Sequence, residues 1–348
     1  MFDNIQSRRK FMLSSTAIGI AATAPAILKP TAALAAPDVV RDGLTIGAQG
    51  AIRIALPQVQ AKYNLDFSYK EFPDSTSILL ALDQGELDYG VTTAQHLIRA
   101  ISEGIDVVWV LGWGGGYNVL IAGKAFGIAA NDPAALQAKV MERKKAGSPV
   151  KIAAPTGSMQ HAKLALYLKS LNIDPDKDVQ ILNLPFRNHP RAIESGEVDL
   201  AMTLSVFGAI SLAKGDAVLV KHVFDGPFGK QEIGFIVRRR TIAEKKDYVQ
   251  RMVSAHVDAM KLFMGNMDQQ IAYEKKYSRL DQPVLEMQER EFLRYDYRTR
   301  VADIKQLAKE LHQLGWVKAD VSDKVDSVID LSFAAKAAGI PVADMTTW

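Results

Sequence analysis

Between Glu71 and Thr93 the stretch EFPDSTSILLALDQGELDYGVTT changes its hydrophobic period from helical to alternating. Asp74, Ser75 and Thr76 each suit a helix N-cap, because a short side-chain oxygen accepts from the free amides of the first turn. Ile78, Leu79 and Leu82 then share one face at helical spacing. Gly85 ends that helix and Leu87–Thr92 reads as a short strand. A weaker copy follows in LPFRNHPRAIESGEVDLAMTL, where Gly196-Glu197-Val198-Asp199 repeats Gly85-Glu86-Leu87-Asp88. Pro185 repeats Pro73, and Gly157 after Val150–Ala154 repeats Gly50 after Leu44–Ala48, all at nearly one offset. The pattern predicts two similar α/β units. Two such units facing one another form a cleft, the usual place for a small ligand.

The rest of the pattern fills in those units. Apolar or alternating runs at Leu44–Ala48, Asp66–Glu71 and Val107–Leu111 predict strands of the first unit, with helices over Ile52–Lys62 and Ala94–Ser102. Tyr117–Ala122 reads as a strand leaving it. In the second unit Val150–Ala154, Val179–Leu184 and Val218–Val223 read as strands, and Ala162–Ser170 and Phe207–Lys214 as helices. Ile233–Val237 reads as the strand returning to the first domain. Beyond Thr241 the period is helical: Val249, Met252, Val253, His256, Val257, Met260 and Phe263 recur at three and four residues. These last helices are expected to brace the rear of the first lobe. The expected domains are residues 36–122 with 233–348 as lobe I and 123–232 as lobe II.

Charge narrows the partners. The chain has 42 Lys and Arg against 39 Asp and Glu, a net of +3. Arg8, Arg9, Lys10 and Lys29 against Asp3 supply all of that excess within residues 1–35. The remainder is neutral and lacks the sustained positive field that phosphate backbones require, so a nucleic-acid partner is not expected. Ser7-Arg8-Arg9-Lys10-Phe11-Met12-Leu13 resembles a twin-arginine (Tat) export consensus. The weakly apolar run Ala17–Leu28 and the small-residue site Ala33-Leu34-Ala35 follow in signal-peptide order. Residues 1–35 are therefore expected to be a Tat signal peptide and the mature protein to be periplasmic. With no cysteine in the chain, disulfides, thiolate metal sites and a lipid-modified cysteine are excluded.

Catalytic signatures are missing. There is no G-x-S-x-G elbow, no H-E-x-x-H and no phosphate-binding loop, and the six histidines show no zinc-ligand spacing. His256 on an apolar helix face reads as a packed histidine, while His161 and His189 fall in loops facing the expected cleft. What the sequence offers instead is a set of polar loops at strand ends. They hold Gln49 and Gly50, Ser75, Thr92 and Thr93, Gly157, Ser158 and His161, Arg187, and Ser205. Several precede helices, whose free amides and positive dipole ends favour an anion. Ser75 and Ser158 read equally as plain helix caps. Arg187 reads as an anion ligand or as a rim ion pair. Trp113, set in Gly112-Trp113-Gly114-Gly115-Gly116, suits either stacking on a ligand or packing in the core.

These segments resemble the periplasmic substrate-binding proteins of ABC importers for sulfonates, taurine and nitrate, the NMT1/SsuA/TauA-like group, which also includes thiamine-pyrimidine synthesis proteins. The resemblance is carried by EFPDSTSILLALDQGELDYGVTT, PTGSMQHAKLALYLKSLNIDPDKDV and LPFRNHPRAIESGEVDLA, and it covers roughly residues 40–240. It implies a two-lobe periplasmic-binding-protein type II fold with two hinge crossovers, near Leu120–Ala122 and Ile233–Val237. It also implies ligand contacts from Gln49, Gly50, Ser75, Thr92, Thr93, Ser158 and His161. The segment LPFRNHPRA departs from the group's common L-P-P-x-D-M/A, so Arg187 and His189 mark a difference. The implied function is capture of a small anionic organic solute by a monomer, without cofactor or metal. Delivery to a membrane permease and its ATPase would follow. The alternative is a pyrimidine-precursor-binding protein or thiamine-pyrimidine synthase-like enzyme.

Overall fold

A computed structural model describes residues 36–45, 50–222 and 230–348. The expected leader and Gln49 lie outside the described residues.

Among the described residues, ten strands form two sheets of five. The first contains β1 (Asp38–Thr45), β2 (Leu65–Phe72), β3 (Tyr89–Thr93), β4 (Val107–Gly114) and β10 (Ile233–Arg238). The second contains β5 (Asn118–Gly123), β6 (Val150–Ala153), β7 (Val179–Leu182), β8 (Leu200–Leu204) and β9 (Ala217–His222). Their orders are β2-β1-β3-β10-β4 and β7-β6-β8-β5-β9, the same pattern with the same parallel and antiparallel neighbours. The duplicated sequence is thus a duplicated topology, in which each sheet takes one antiparallel strand from the other half of the chain.

The repeated G-E-x-D turn has a structural cause. Gly85 and Gly196 adopt positive φ of 79° and 70°, a region open to glycine at no steric cost. Asp88 then accepts from the Arg41 amide at 2.9 Å and pairs with its guanidinium at 2.8 Å. Asp199 accepts from the Lys151 amide at 2.8 Å. Each aspartate clamps the start of its lobe's first strand.

Two expectations are corrected. β5 pairs only with β8 and β9, so the chain leaves the first sheet at 115–117 rather than after Ala122. An apolar run shows that a strand is buried but not which sheet buries it. The helix expected over Ile52–Lys62 ends at Ala55 and continues as two tight turns, Leu56–Gln58 and Gln60–Tyr63. Pro57 has no amide to donate, and its ring excludes it from a helix interior.

The C-terminal helices fill the rear of the first sheet as expected. Val249, Met252, Val253, Val257 and Met260 of helix Lys246–Lys261, and Phe263 just beyond its end, are all buried in its core. His256 lies among them; its Nδ1 meets the Met252 carbonyl at 2.8 Å and its Nε2 the Tyr89 hydroxyl at 2.8 Å. Burial lowers its pKa to about 4 and keeps it neutral. The same region also reaches the second lobe, where Val284 and Phe292 join the core. Between them and helix Val301–Gln313 the segment 293–300 runs as a strap against β4. Gly112 donates to the Tyr297 carbonyl at 3.1 Å, and Gly115 and Arg294 exchange two bonds of 3.0 Å. A Cβ on Gly112, Gly114 or Gly116 would overlap the carbonyl of Arg298, Arg294 or Phe292. The glycine run therefore serves close backbone approach, and Trp113 between those glycines is fully buried against Phe235 at a ring distance of 4.5 Å. Trp113 is a core residue, and the stacking alternative falls.

Candidate functional site at the lobe interface

The C-terminal ends of β1 and β3 face the second lobe across a cavity of about 60 Å³. Its polar lining is Thr45, Ser75, Thr93, Asn118, Gln160 and Glu232, with Val91, Tyr117, Met159, Leu204 and Ile233 as apolar or aromatic wall. Both lobes and both crossovers contribute. Helix Ser75–Asp83 opens here, capped by Asp74, which accepts from the Ser77 amide at 2.8 Å. The Thr93 hydroxyl is held by His96 Nδ1 at 2.7 Å, and His96 Nε2 meets Thr76 at 3.2 Å.

Glu232 is the centre of the arrangement. It is 1% exposed and sits where the second crossover enters β10. Its carboxylate accepts from the Tyr117 amide at 2.7 Å and from Asn118 Nδ2 at 2.6 Å. Lys163 Nζ, fully buried on helix Met159–Ser170, stands 2.9 Å from it as an ion pair out of hydrogen-bond alignment. The Glu232 backbone carbonyl accepts from the Ala94 amide at 2.9 Å, and the Glu232 amide donates to the Gly114 carbonyl at 3.1 Å. Burial opposes its ionisation, but the Lys163 charge and the Asn118 and Tyr117 donors prevail and hold the carboxyl below its usual range. One side chain thus ties the first crossover, the second crossover and a lobe II helix together. Gln160 reaches the same knot by donating to the Asn118 side-chain oxygen. Further out, Gln95 Nε2 of lobe I donates to the Gly157 carbonyl of lobe II at 2.9 Å. The His161 ring lies 4.8 Å from that of Trp316.

The profile of the NMT1-like family matches residues 51–273. That span covers most of both sheets and more than half of the chain. This chain belongs to the NMT1-like family. Solved structures resemble it with low identity. The alkanesulfonate-binding protein SsuA from Xanthomonas axonopodis pv. citri superposes with a TM-score of 0.69 at 18% identity, covering 86% of this chain and 100% of that one. The periplasmic aliphatic sulphonate binding protein SsuA from Escherichia coli gives 0.68 at 20%, covering 83% and 91%. The periplasmic nitrate-binding protein NrtA from Synechocystis PCC 6803 gives 0.73 at 13%, covering 89% and 91%. These likenesses establish the fold. No protein among those curated for function matches the sequence.

Within this NMT1-like fold the expected residues divide. Ser75 and Thr93 line the cavity. Gly157 and His161 hold interlobe contacts, and the Gly157 amide donates to His161 Nδ1 at 3.2 Å. Ser158 caps its helix, its hydroxyl donating to the Pro155 carbonyl at 2.6 Å and accepting from the His161 amide at 3.2 Å. Ser205 is buried behind Leu204, its amide donating to the Tyr117 carbonyl at 2.8 Å. Thr92 is fully buried and is not part of the lining. Gly50 lies beneath the Glu274 carboxylate, which a Cβ would overlap. Arg187 is exposed and outside the lining. His189 is fully buried, its Nε2 at 3.0 Å from the Leu184 carbonyl, with a pKa lowered to about 4 by burial. The loop holding Arg187 and His189 thus packs through its histidine and leaves its arginine in solvent. Tyr117, Asn118, Lys163 and Glu232 are not among the residues the sequence pointed to, and Gln160 enters there only as a member of the polar turn 157–161. The one available signal was charge: Glu232 directly precedes an apolar strand, and Lys163 interrupts an apolar helix face.

Near Tyr117 lie two more carboxyls, Glu274 and Glu289, both buried. Burial, aided by the charge of Glu289, pushes Glu274 up to about 8, and burial pushes Glu289 up to about 7. The folded protein therefore holds protons that the unfolded chain, with ordinary carboxyls, releases. That contribution is complete at acid pH and is lost as pH rises through the folded values. His96, His189 and His256, all at about 4 in the fold, oppose it: below the ordinary histidine value the unfolded chain takes up protons they refuse. Conformational stability is expected to vary little just below pH 6.5 and to fall from pH 6.5 to 8.5. The slope approaches about 1.4 kcal/mol per pH unit for each proton still held. Urea unfolding across that range checks it, and a rise toward pH 8.5 would contradict it.

Proposed function

We propose that this protein is a periplasmic solute-binding protein of an ABC importer, acting as a monomer. It holds a small organic solute in the cavity between its lobes and presents it to a permease and its ATPase. The observation that carries this reading is the cavity itself. It lies where both crossovers meet and takes its walls from both lobes, so a bound solute would contact each side and favour the closed arrangement. On this reading lobe I comprises the first sheet and the C-terminal helices, and lobe II the second sheet. Ser75 and Thr93 are solute contacts, and so are Asn118 and Gln160. The solved relatives carry sulfonates or nitrate in their names, which supports transport of a small molecule over synthesis of one. Tat export of residues 1–35 accounts for delivery to the periplasm.

Calorimetry with a panel of sulfonates, carboxylates, amines, nitrate and pyrimidines tests the reading. A solute that binds is expected to lose affinity about tenfold or more in Gln160→Ala, the scale of one lost buried hydrogen bond to a polar ligand. Arg187→Ala is expected to leave affinity unchanged. Equal binding by Gln160→Ala together with a large loss in Arg187→Ala would move the site out of the cavity.

A further inference from the structure

We infer that the solute presents an uncharged amide-type edge, an N–H beside a carbonyl as in a carboxamide, urea or lactam, and that Gln160 reads it through a free Oε1. The inference rests on the solute-binding reading above and names its substrate class. It comes from a polar relay, Glu232 to Asn118 to Gln160, whose three members all line the interlobe cavity.

Glu232 fixes the direction of the relay and so acts as a positioning residue. Its Oε2 meets the Tyr117 backbone N–H at 2.7 Å, and its Oε1 lies 2.9 Å from Lys163 Nζ. Both of those groups can only donate, so the carboxylate is an acceptor on both oxygens. Asn118 must then turn Nδ2 toward it, at 2.6 Å, because Oδ1 in that place would oppose a second acceptor. Asn118 Oδ1 is left facing Gln160, which for the same reason donates its Nε2. The two ends of a side-chain amide exchange places by a flip, but here one buried charge sets both amides. Gln160 keeps Oε1 and the second N–H of its Nε2 for other use. It is 7% exposed, and among the described residues nothing donates to its Oε1.

An acceptor beside a donor is matched by another edge of the same kind: the solute N–H reaches Oε1 and the solute carbonyl accepts in return. The hydroxyls of Thr45 and Ser75, on the lobe I wall, also carry no hydrogen bond among the described residues, and a hydroxyl both donates and accepts. Charge argues against an ion. Among the described residues Glu232 is the single charged group in the wall, and Lys163 already neutralises it. An anion would lose its water beside that carboxylate with no free cation to meet it. An ammonium would compete with Lys163 for one carboxylate. A charge buried without its own partner is costly, whereas a neutral amide edge leaves the balance of the wall unchanged.

The test uses the full chain and four probes that differ in the head group: butanamide, butyrate, butanesulfonate and n-butylamine. Thermal shift and calorimetry are expected to show binding of butanamide, with the two anions and the amine weaker by about tenfold or more. Gln160→Leu, which keeps the bulk and removes the polar edge, is expected to weaken butanamide by about tenfold or more. Lys163→Met/Glu232→Gln removes the charges as a pair and leaves the relay free to flip. It is expected to narrow the butanamide-to-butyrate affinity ratio by about tenfold, whereas a purely structural role would weaken both probes alike. Preference for butyrate, butanesulfonate or n-butylamine would overturn the inference and leave the solute-binding reading standing. Butanamide binding that survives Gln160→Leu, or a ratio unchanged in the double variant, would also overturn it. If no butyl probe binds, the wider panel decides: a binder with a neutral amide-type edge upholds the inference, any other binder overturns it, and failure of every compound removes both readings.

Discussion

Replacing Lys163 by Met is expected to lower the melting temperature by on the order of 10 °C. The substitution keeps most of the length of the side chain and removes the charge that, among the described residues, pairs with Glu232. Breaking one side of a buried pair typically costs about 3–5 kcal/mol, because the remaining charge is stranded in a poor solvent. In a protein of this size each kcal/mol moves the midpoint by about 2–4 °C. The companion variant Lys163→Met/Glu232→Gln has no stranded charge and should recover most of the loss. Glu232→Gln alone would be intermediate, since the Tyr117 and Asn118 donors keep an acceptor. Differential scanning calorimetry on the three variants checks the ordering. A Lys163→Met protein as stable as the wild type would mean that Glu232 is not charged in the fold.

Gly114→Ala is expected to be at least as damaging, by about 3 kcal/mol or more, the range of overpacking with backbone strain. Two costs coincide at this residue. Its φ is 98°, which L side chains rarely adopt, and the new Cβ would overlap the Arg294 carbonyl. The obstacle is backbone and not the end of a flexible side chain, so relief requires the strap 293–300 to leave β4. The strap is the route by which the C-terminal helices reach the second lobe, so its release should show as early proteolytic cleavage near residues 293–300. The control is Gly147→Ala. That glycine also has positive φ, 70°, but its Cβ would meet nothing within contact distance; it should cost about 1 kcal/mol. Equal effects at the two positions would show that φ alone matters and that the strap is loosely held.

The fold was legible because its repeat leaves local marks. Gly85 and Gly196 end matching helices, and Asp88 and Asp199 clamp matching strands, all visible as one tetrapeptide repeated. The C-terminal helix around His256 was legible from its apolar period. The site was less so. Ser75 and Thr93 were found because they open helices at strand ends, where polar loops converge. Glu232 and Lys163 meet across the interlobe boundary from distant parts of the chain, and no spacing announces such a pair. Trp113 and Arg187 misled for opposite reasons. Glycines around an aromatic resemble a ligand loop, but here they admit a neighbouring backbone. An arginine after a strand resembles an anion ligand, but its loop is anchored by buried His189, which leaves Arg187 in solvent.

The most direct test of the central claim is the melting temperature of wild type and Ser75→Trp, each with and without the best-binding member of the solute panel. Ser75 is at the cavity wall, and an indole there would fill a space of about 60 Å³. Wild type is expected to gain stability with solute, about 2.7 kcal/mol at one hundred times the dissociation constant. Ser75→Trp is expected to fold and to gain nothing. A solute that stabilises both proteins equally would place binding elsewhere and contradict the account.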